Sequence, residues 1–339
     1  MAALRKASFV LRRGGIVAFP TETVYGLGAH AFDPVAVKKI FEAKGRPADN
    51  PLIVHIAEID AIENVASRIS DEAKLLMKAF WPGPFTLVLP KHPRIPLEVT
   101  AGTDTVAVRL PAHPIARELL RVTGFPIAAP SANLAGKPSP TEAMHVAEDL
   151  SGRIDLLLDG GRAGIGLEST VVDASGDKII LLRQGAVTAE AMKKVLGYTP
   201  QLAKLKAGRP AMSPGLKYKH YAPKAELILF KIRPHEVMVK CILEEMMKLQ
   251  KNGVRIGILC CNENKYVYRS ANKVISCGSR RNIRNIASNL FACLRKFDHT
   301  DVDVILCEYF EEKGIGHAVA DRLVRASSKV FSNSQIHSS

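Results

Sequence analysis

Several common functional signatures are missing from this sequence of 339 residues. No run of eighteen apolar residues occurs, so the sequence predicts no membrane-spanning helix. The dinucleotide fingerprint G-x-G-x-x-G and the phosphate loop G-x-x-x-x-G-K-[ST] are both absent. So are G-x-S-x-G, H-E-x-x-H and any Ser/His/Asp order. The sequence therefore gives no sign of covalent catalysis or of a familiar nucleotide-binding motif.

Cysteine is missing from the first 240 residues, and all six cysteines follow that point. No C-x-x-C pair occurs among them, which is the spacing typical of zinc ribbons and redox motifs. We interpret the six as reduced, mostly buried thiols of a cytoplasmic protein. This interpretation predicts neither a zinc site nor a disulfide framework.

Positive charge is abundant, with 47 lysines and arginines against 33 acids and a net charge of +14. Such an excess favours polyanionic partners, such as nucleotides, RNA, phosphate or a membrane surface. A solvated basic surface without a partner would give the same composition. Charge alone does not separate these two interpretations.

The pattern of apolar residues predicts two α/β domains joined by a connector. Residues 1–200 alternate between short apolar strands and capped helices, which indicates a large mixed sheet. Residues 201–224 are polar and contain glycine and proline. Residues 225–339 repeat a regular strand–helix order, which is typical of a smaller doubly wound α/β domain.

Four stretches of the first domain are more polar than a plain fold requires: 20–28, 44–56, 129–141 and 159–173. The first, PTETVYGLG, follows a predicted buried strand, where α/β sheets bind ligands. A turn that needs Gly26 and Gly28 would explain it equally well. The second, KGRPADNPLIVHI, places cationic, amide and imidazole side chains within a short span, which indicates an anion site.

The third stretch, APSANLAGKPSPT, contains small residues that allow close approach of a ligand to the backbone. We expect Ser139 to cap the next helix in a capping box with Glu142, which would leave free amide groups for a phosphate. The fourth, DGGRAGIGLESTVVD, precedes Arg183 in LLRQG. These cationic and hydroxyl groups suit the binding of phosphates and carboxylates.

The ordered set of motifs resembles the YrdC-like family, specifically its two-domain threonylcarbamoyl-AMP synthases. The matching segments, found over most of residues 15–223, are FPTETVYGLGA, KGRPADNPLIVHI, WPGPFTLVL, TVAVRLPAHP, PIAAPSANLAGKPSPT, ESTVVD, LLRQGAV and SPGLKYKHYAP. EKGIGHAVADRLVRAS resembles the closing motif of the appended domain. Each segment is weak evidence alone, but their common order is specific.

This resemblance implies an open twisted sheet with a concave basic face, and it implies a reaction. L-threonine, bicarbonate and ATP would give L-threonylcarbamoyl-AMP, pyrophosphate and water. A separate transferase would use the product to make N6-threonylcarbamoyladenosine at position 37 of tRNAs that decode ANN codons. Magnesium would be held mainly by the triphosphate, and tRNA would make a weak direct contact.

The resemblance also implies a role for individual residues. Threonine would be bound by Thr23, His55, Arg109, the backbone of Ala129, and Ser169. ATP would be bound by Arg46, Asn50, Thr105, Ser131, Ser139, Arg183 and Tyr218. Lys44 and Arg46 would act in catalysis by stabilising phosphoryl charge.

The stretch SPGLKYKHYAP, residues 213–223, contains more charged and aromatic side chains than a connector needs. Two tyrosines, two lysines and a histidine occupy five consecutive positions. We therefore expect the connector to lie over the first domain as a lid, with Tyr218 and the lysines closing the nucleotide end of the site.

Two other functions remain open from the sequence. A basic α/β surface could bind duplex RNA by shape, with no ATP turnover. A related domain also serves other carbamoyl-transfer enzymes, but these usually carry paired C-x-x-C segments that this sequence lacks.

Overall fold

The computed structural model describes residues 1–203 and 220–334. Within them the chain divides into two compact units, one of residues 1–135 and 139–203 and the other of residues 136–138 and 220–334. No helix within these described ranges is both long and apolar enough to cross a membrane.

The first unit is built on a mixed sheet of ten strands. In chain order these are β1 (Val17–Phe19), β2 (Gly26–His30), β3 (Ile53–His55), β4 (Phe85–Pro90), β5 (Thr105–Arg109), β6 (Ile127–Ala129), β7 (Leu156–Leu157), β8 (Thr170–Asp173), β9 (Ile180–Arg183) and β10 (Gln201–Leu202). Across the sheet the order is β10-β9-β8-β4-β5-β3-β6-β2-β1-β7. Parallel and antiparallel pairs alternate irregularly, for example parallel β3/β5 beside antiparallel β4/β5. The predicted mixed α/β fold is confirmed.

Seven helices pack with this sheet in the described residues, and α2 begins and ends where its capping signals predict. They are α1 (Ala2–Arg12), α2 (Pro34–Lys44), α3 (Asp71–Phe80), α4 (Leu97–Thr100), α5 (Pro114–Thr123), α6 (Ala143–Leu150) and α7 (Ala189–Leu196). The Asp33 carboxylate accepts from two amides at the start of α2. Gly45 ends the helix with a φ of 58°, which is a left-handed conformation that glycine adopts without strain.

Successive residues of the central strands point to opposite faces of the sheet. On one face Val54, Leu87 and Val108 join the main core with α2, α3 and α7. On the other face Ile53 and Ala107 belong to a much smaller apolar cluster. The side chains two residues further along β3 and β5 share this second face, and they are polar.

One stretch predicted as a turn is a strand. Residues 26–30 form β2, which pairs with both β1 and β6. Gly28 is needed here for space, because a Cβ at this position would lie 2.5 Å from Ile127 Cγ2 and 2.8 Å from Phe19 Cε1. The glycine reflects close packing of the sheet, so the prediction of a turn over these residues is wrong.

The second unit is a parallel sheet of five strands with three helices. The strands are β11 (Glu226–Lys231), β12 (Ile256–Cys260), β13 (Lys273–Ser276), β14 (Val304–Glu308) and β15 (Lys329–Ser332), and the helices are α8 (His235–Lys251), α9 (Ile283–Phe297) and α10 (Gly316–Ala326). The strand order is β13-β12-β14-β11-β15. The predicted smaller parallel α/β domain is confirmed, and β15 is a strand that the sequence pattern did not reveal.

Candidate active site

Three polar side chains lie in a row across neighbouring strands of the first unit. The register pairs Arg109 of β5 with Thr86 of β4 on one side and with His55 of β3 on the other. All three lie on the sheet face opposite the main core and are at most 4% exposed. A row of buried polar groups is costly unless each finds a partner, so the partners define the site.

Arg109 is the centre of this row. Its Nη2 donates to Glu22 Oε1 at 2.6 Å, its Nη1 to Thr23 Oγ1 at 2.9 Å, and its Nε to the Gly83 carbonyl at 3.2 Å. These contacts use three of the five N–H groups of the guanidinium. Two N–H groups, one on each terminal nitrogen, remain for a further acceptor. Thr23 is thereby placed beside Arg109, and binding of threonine by the two residues stays a prediction.

Glu22 forms a nearly buried ion pair with Arg109. Burial alone would raise the pKa of the Glu22 carboxyl, but the charge and hydrogen bond of Arg109 outweigh burial and lower the pKa below its usual value of 4.5. Glu22 Oε2 is buried and has no hydrogen-bond partner in the described residues. This oxygen is an acceptor that a donor group of a ligand could satisfy.

His55 is buried beside Arg109. Burial first, and then the nearby Arg109 charge, lower the pKa of the His55 imidazole to about 3. The ring is therefore neutral at physiological pH. Its Nδ1 lies 3.1 Å from the Ile53 carbonyl, and the neutral ring has one nitrogen that donates and one that accepts. Ala129, another predicted threonine contact, lies on the adjacent strand β6, in register with Ile53.

Ser169 lies directly before β8 and contacts the side chains of Thr86 and Arg183. Its hydroxyl lies 2.7 Å from Thr86 Oγ1, on the strand next to Arg109. Arg183 donates to it twice, from Nη2 to the hydroxyl at 3.2 Å and from Nε to the carbonyl at 3.0 Å. The predicted residues Ser169 and Arg183 are thus in direct contact, and Thr86 connects them to Arg109.

Lys44 is buried at the end of α2, and its ammonium stabilises a loop of the third polar stretch. Lys44 Nζ donates to the carbonyls of Ser131 and Asn133, both at 2.5 Å. The Ser131 hydroxyl in turn donates to Asn133 Oδ1. Through these two contacts Lys44 orders the Ser131 loop, so it acts as a positioning residue. Direct contact of Lys44 with phosphate stays a prediction.

Arg46 lies two residues beyond the end of α2 and is half-buried. Its Nη2 donates to the carbonyls of Asn50 and Pro51 at 3.0 and 3.2 Å. The Asn50 side chain is buried, and its Oδ1 has no hydrogen-bond partner within the described part of the chain. The structure brings the Arg46 guanidinium next to the Asn50 backbone, and binding of ATP by these two residues stays a prediction.

Ser139 does not cap a helix, and the predicted capping box is wrong. Helix α6 begins only at Ala143, and the residue before it, Glu142, makes no side-chain cap. The backbone from 139 to 141 is engaged elsewhere, since the Pro140 carbonyl accepts from the Tyr25 amide and the Thr141 carbonyl from the Ala163 amide. The Ser139 hydroxyl donates instead to Glu168 Oε1 at 2.5 Å.

Backbone hydrogen bonds join the four polar stretches into one region. The Tyr25 carbonyl accepts from the Ala132 amide, and the Thr23 carbonyl accepts from the Gly166 amide. The Ala135 amide donates to the Lys44 carbonyl, which links the second and third stretches. Segments that are distant in sequence therefore border one site.

One predicted nucleotide contact of the described residues, Thr105, is not brought into this cluster. Thr105 is on the same sheet face as Arg109 but at the opposite end of β5, about 13 Å away at the usual rise per strand residue. Tyr218 and the lysines of the predicted lid lie outside the described residues.

Two side chains of the cluster were missed as contacts by the sequence analysis, Glu22 and Thr86. Glu22 was noted only as part of a polar stretch. Thr86 had a usable signal, because it is the single polar residue in the strand segment FTLVLP and its register places it beside Arg109.

The site combines fixed donors with few available acids. Glu22 is paired with Arg109, and Glu168 accepts from Ser139. The one group of three potential metal ligands found in the described residues lies in the second unit. The first unit is therefore suited to binding anionic substrates through arginines, hydroxyls and backbone groups.

Comparison with known proteins places the chain in a family. Residues 9–185 match the family model Sua5_yciO_yrdC, described as telomere recombination, and residues 187–328 match Sua5_C, described as the C-terminal domain of threonylcarbamoyl-AMP synthase. A threonylcarbamoyl-AMP synthase of Pyrococcus abyssi is 49% identical over 96% of this chain and 94% of its own length. One of Bacillus subtilis is 48% identical over 96% and 92%.

Solved structures agree with the sequence matches. The crystal structure of P. abyssi Sua5 complexed with L-threonine has a TM-score of 0.92 and 48% identity, and it covers 97% of this chain and 95% of that one. The likeness extends over both units. The chain belongs to the two-domain threonylcarbamoyl-AMP synthase family.

Proposed function

We propose that this chain synthesises L-threonylcarbamoyl-AMP from L-threonine, bicarbonate and ATP, with release of pyrophosphate. The observation that carries the proposal is the likeness, over nearly the full length, to a Sua5 protein crystallised with L-threonine. The relatives' shared name gives the reaction class, a nucleotidyl transfer. The buried cluster around Arg109 gives it a physical basis.

Threonine binds at this cluster in the proposal. The two remaining N–H groups of Arg109 donate to the amino-acid carboxylate, for which a planar guanidinium is well matched. Thr23, the backbone of Ala129 and Ser169 complete the contacts. The neutral His55 offers one ring nitrogen as an acceptor, and Glu22 Oε2 is a second acceptor that a substrate N–H or O–H would satisfy.

The nucleotide binds along the loops held by Lys44 and Arg46. Ser131, Ser139, Asn50, Thr105 and Arg183 supply the donors, and Tyr218 of the lid closes this end. Arg46 and Lys44 increase the positive potential where the phosphates lie. The contacts of Lys44 with two carbonyls support a role in which it fixes the Ser131 loop.

The chemistry needs alignment more than proton transfer. The threonine amine adds to bicarbonate with loss of water, which gives a carbamate. A carbamate oxygen then attacks the α-phosphorus of ATP, and pyrophosphate leaves. No strong base is required once the carbamate exists, so the residues act by orienting the two substrates and stabilising charge on phosphoryl oxygens.

Water must be excluded, because both the carbamate and the mixed anhydride hydrolyse readily. The groups around Arg109 are already nearly inaccessible to solvent, which supports this requirement. Closure of residues 213–223 over the nucleotide would complete the exclusion.

Magnesium accompanies the triphosphate in this proposal. The acids nearest the cluster are engaged with Arg109 and Ser139, so the donor set fits a metal held by phosphates and water rather than by a protein cage. When bound, the ion neutralises part of the phosphate charge. The product is passed to a separate transferase for N6-threonylcarbamoyladenosine at position 37 of tRNA, and this work takes place in the cytoplasm.

The direct test is to incubate the full-length protein with ATP, bicarbonate and labelled threonine, and to look for label on an adenylate. We expect a threonine-labelled adenylate from the wild type and much less from Arg46→Ala. Tight, salt-sensitive RNA binding without any labelled adenylate would favour a binding module instead.

A further inference from the structure

The second unit has a cavity of its own at the carboxyl ends of its strands. It has a volume of about 320 Å³ and is lined by residues that follow β11, β12 and β14, together with the first turn of α8. In open parallel sheets this edge is where ligands bind, at the crevice where strand order reverses. Whether this cavity binds a ligand depends on the side chains that line it.

Glu308 forms the base of this cavity and is only 1% exposed. Its carboxylate accepts from the Cys261 amide at 2.8 Å, from the Tyr268 hydroxyl at 2.9 Å, and from Asn264 Nδ2. No lysine or arginine among the described residues lies within 4.0 Å of it. Buried carboxylates are normally paired with a cation or ligate a metal, so Glu308 lacks a counter-charge.

Two further ligand types converge on Glu308. A nitrogen of His235, the sulfur of Cys261 and a carboxylate oxygen of Glu308 all lie within 4.8 Å of one another. The three residues come from separate elements, at the start of α8, after β12 and at the end of β14. Asn264 Nδ2 also lies 2.9 Å from His235 Nε2, so one amide contacts both His235 and Glu308.

We propose that His235, Cys261 and Glu308 bind a zinc ion in the second unit. One nitrogen, one sulfur and one oxygen ligand suit this borderline-soft ion better than magnesium or calcium, which prefer oxygen. Three protein ligands leave a fourth position for water, as in zinc sites that are open on one side. The Tyr268 hydroxyl, the Asn264 amide and the Cys261 amide donate to Glu308 and are the outer hydrogen bonds that such a ligand requires, whereas zinc would replace the contact of His235 Nε2 with Asn264.

The charges balance with the zinc bound. The S–H bond of Cys261 breaks, a zinc–sulfur bond forms and the proton is released to solvent. Thiolate and carboxylate together then offset the two positive charges of zinc. Arg233 and Arg280 also line the cavity, but Arg233 lies 4.0 Å from Glu312 and Arg280 is exposed, so neither replaces the missing counter-charge at Glu308.

The sequence analysis predicted no zinc site because it searched for paired C-x-x-C spacing. A site with one ligand on each of three elements has no such signature. Only the fold brings these side chains together.

Cobalt substitution tests the proposal without any need for activity. The full-length protein is treated with a chelator and then titrated with Co²⁺ alone. We expect a thiolate-to-cobalt charge-transfer band in the near ultraviolet that saturates at a single equivalent and disappears when Zn²⁺ is added.

Variants locate the site. Cys261→Ser should remove the charge-transfer band, and His235→Asn should weaken cobalt binding strongly while the exposed start of α8 keeps the fold intact. Cys241→Ser, on the same helix but outside the cluster, is the matched control and should behave like the wild type. Tyr268→Phe should lower zinc affinity about 10- to 100-fold, the usual effect of losing an outer hydrogen bond to a ligand.

The proposal is overturned if wild-type protein gives no cobalt–thiolate band. It is also overturned if the band persists in folded Cys261→Ser, because another cysteine would then be the ligand. Near-ultraviolet circular dichroism shows whether each variant is folded, and His235→Asn decides the matter should Cys261→Ser fail to fold.

Discussion

Replacement of Arg109 by lysine keeps the charge of the residue but removes its planar fork. In the wild type, three nitrogens of Arg109 reach Glu22, Thr23 and the Gly83 carbonyl. A lysine ammonium occupies a single position and cannot reach all three acceptors. At least one hydrogen bond from a charged donor is lost, which costs about 1.5–3 kcal/mol of the free energy of unfolding.

The same change should weaken threonine binding selectively. A bidentate contact with the carboxylate becomes a single one, and loss of about 1.5–3 kcal/mol corresponds to a roughly 10- to 150-fold rise in the threonine KM. The KM for ATP should stay nearly constant, because the proposed nucleotide contacts lie on other loops.

The assay is pyrophosphate release at saturating bicarbonate, with threonine and ATP varied separately. Arg121→Lys is the matched control, since Arg121 forms an exposed two-nitrogen contact with Glu118 on α5. The control should leave both KM values unchanged. Equal weakening of threonine and ATP by Arg109→Lys, or an unchanged threonine KM, would refute a carboxylate clamp at this residue.

Three further predictions concern Arg46, His55 and Tyr218. Arg46→Ala should lower turnover by about 10²- to 10³-fold with little change in the thermal midpoint, and a large stability loss with turnover intact would make Arg46 structural. The free energy of unfolding should rise with pH between about 3 and 6.5, by at most about 1.4 kcal/mol per pH unit from His55, because the folded pKa is lowered and the unfolded chain binds the extra proton. Denaturant titrations of wild type and His55→Gln across that range measure this slope, and an unchanged slope in the variant would contradict a buried neutral imidazole. Tyr218→Ala should weaken ATP binding by roughly 5- to 150-fold, as expected for loss of an aromatic contact with a base, whereas a silent variant would leave the segment a plain connector.

The sequence predicted the class of fold well, because the relevant signals are local. Asp33 and Gly45 mark the ends of α2 through capping chemistry that operates within a few residues. Short apolar runs predicted most of the strands, because they too are local signals. The strand at residues 26–30 was missed, since Gly28 serves close packing against Phe19 and against Ile127, and Ile127 is distant in sequence.

The site was predictable in its residue types and less so in its contacts. Ser139 followed by Pro140 and Glu142 has the spacing of a helix cap, yet long-range backbone hydrogen bonds to Tyr25 and Ala163 hold this segment out of the helix. Lys44 was predicted to face phosphate from its charge, but its ammonium contacts two carbonyls of a loop some ninety residues away. No sequence pattern predicts contacts between residues that are so far apart along the chain.

Glu22 is a second residue whose long-range contact could not be predicted from the sequence. Its place next to Thr23 indicated only a polar stretch. The ion pair with Arg109, which lowers the pKa of Glu22 against the effect of burial, exists because β5 ends beside residues 20–25. Sequence reasoning finds the groups that can do chemistry, whereas the fold decides which of them meet.

The dependence of pyrophosphate release on both co-substrates tests the central claim most directly. Full-length protein with ATP and magnesium should release pyrophosphate only when L-threonine and bicarbonate are both present, and removal of either one should reduce the rate to background. Release that is indifferent to threonine would contradict the synthesis of L-threonylcarbamoyl-AMP by this chain.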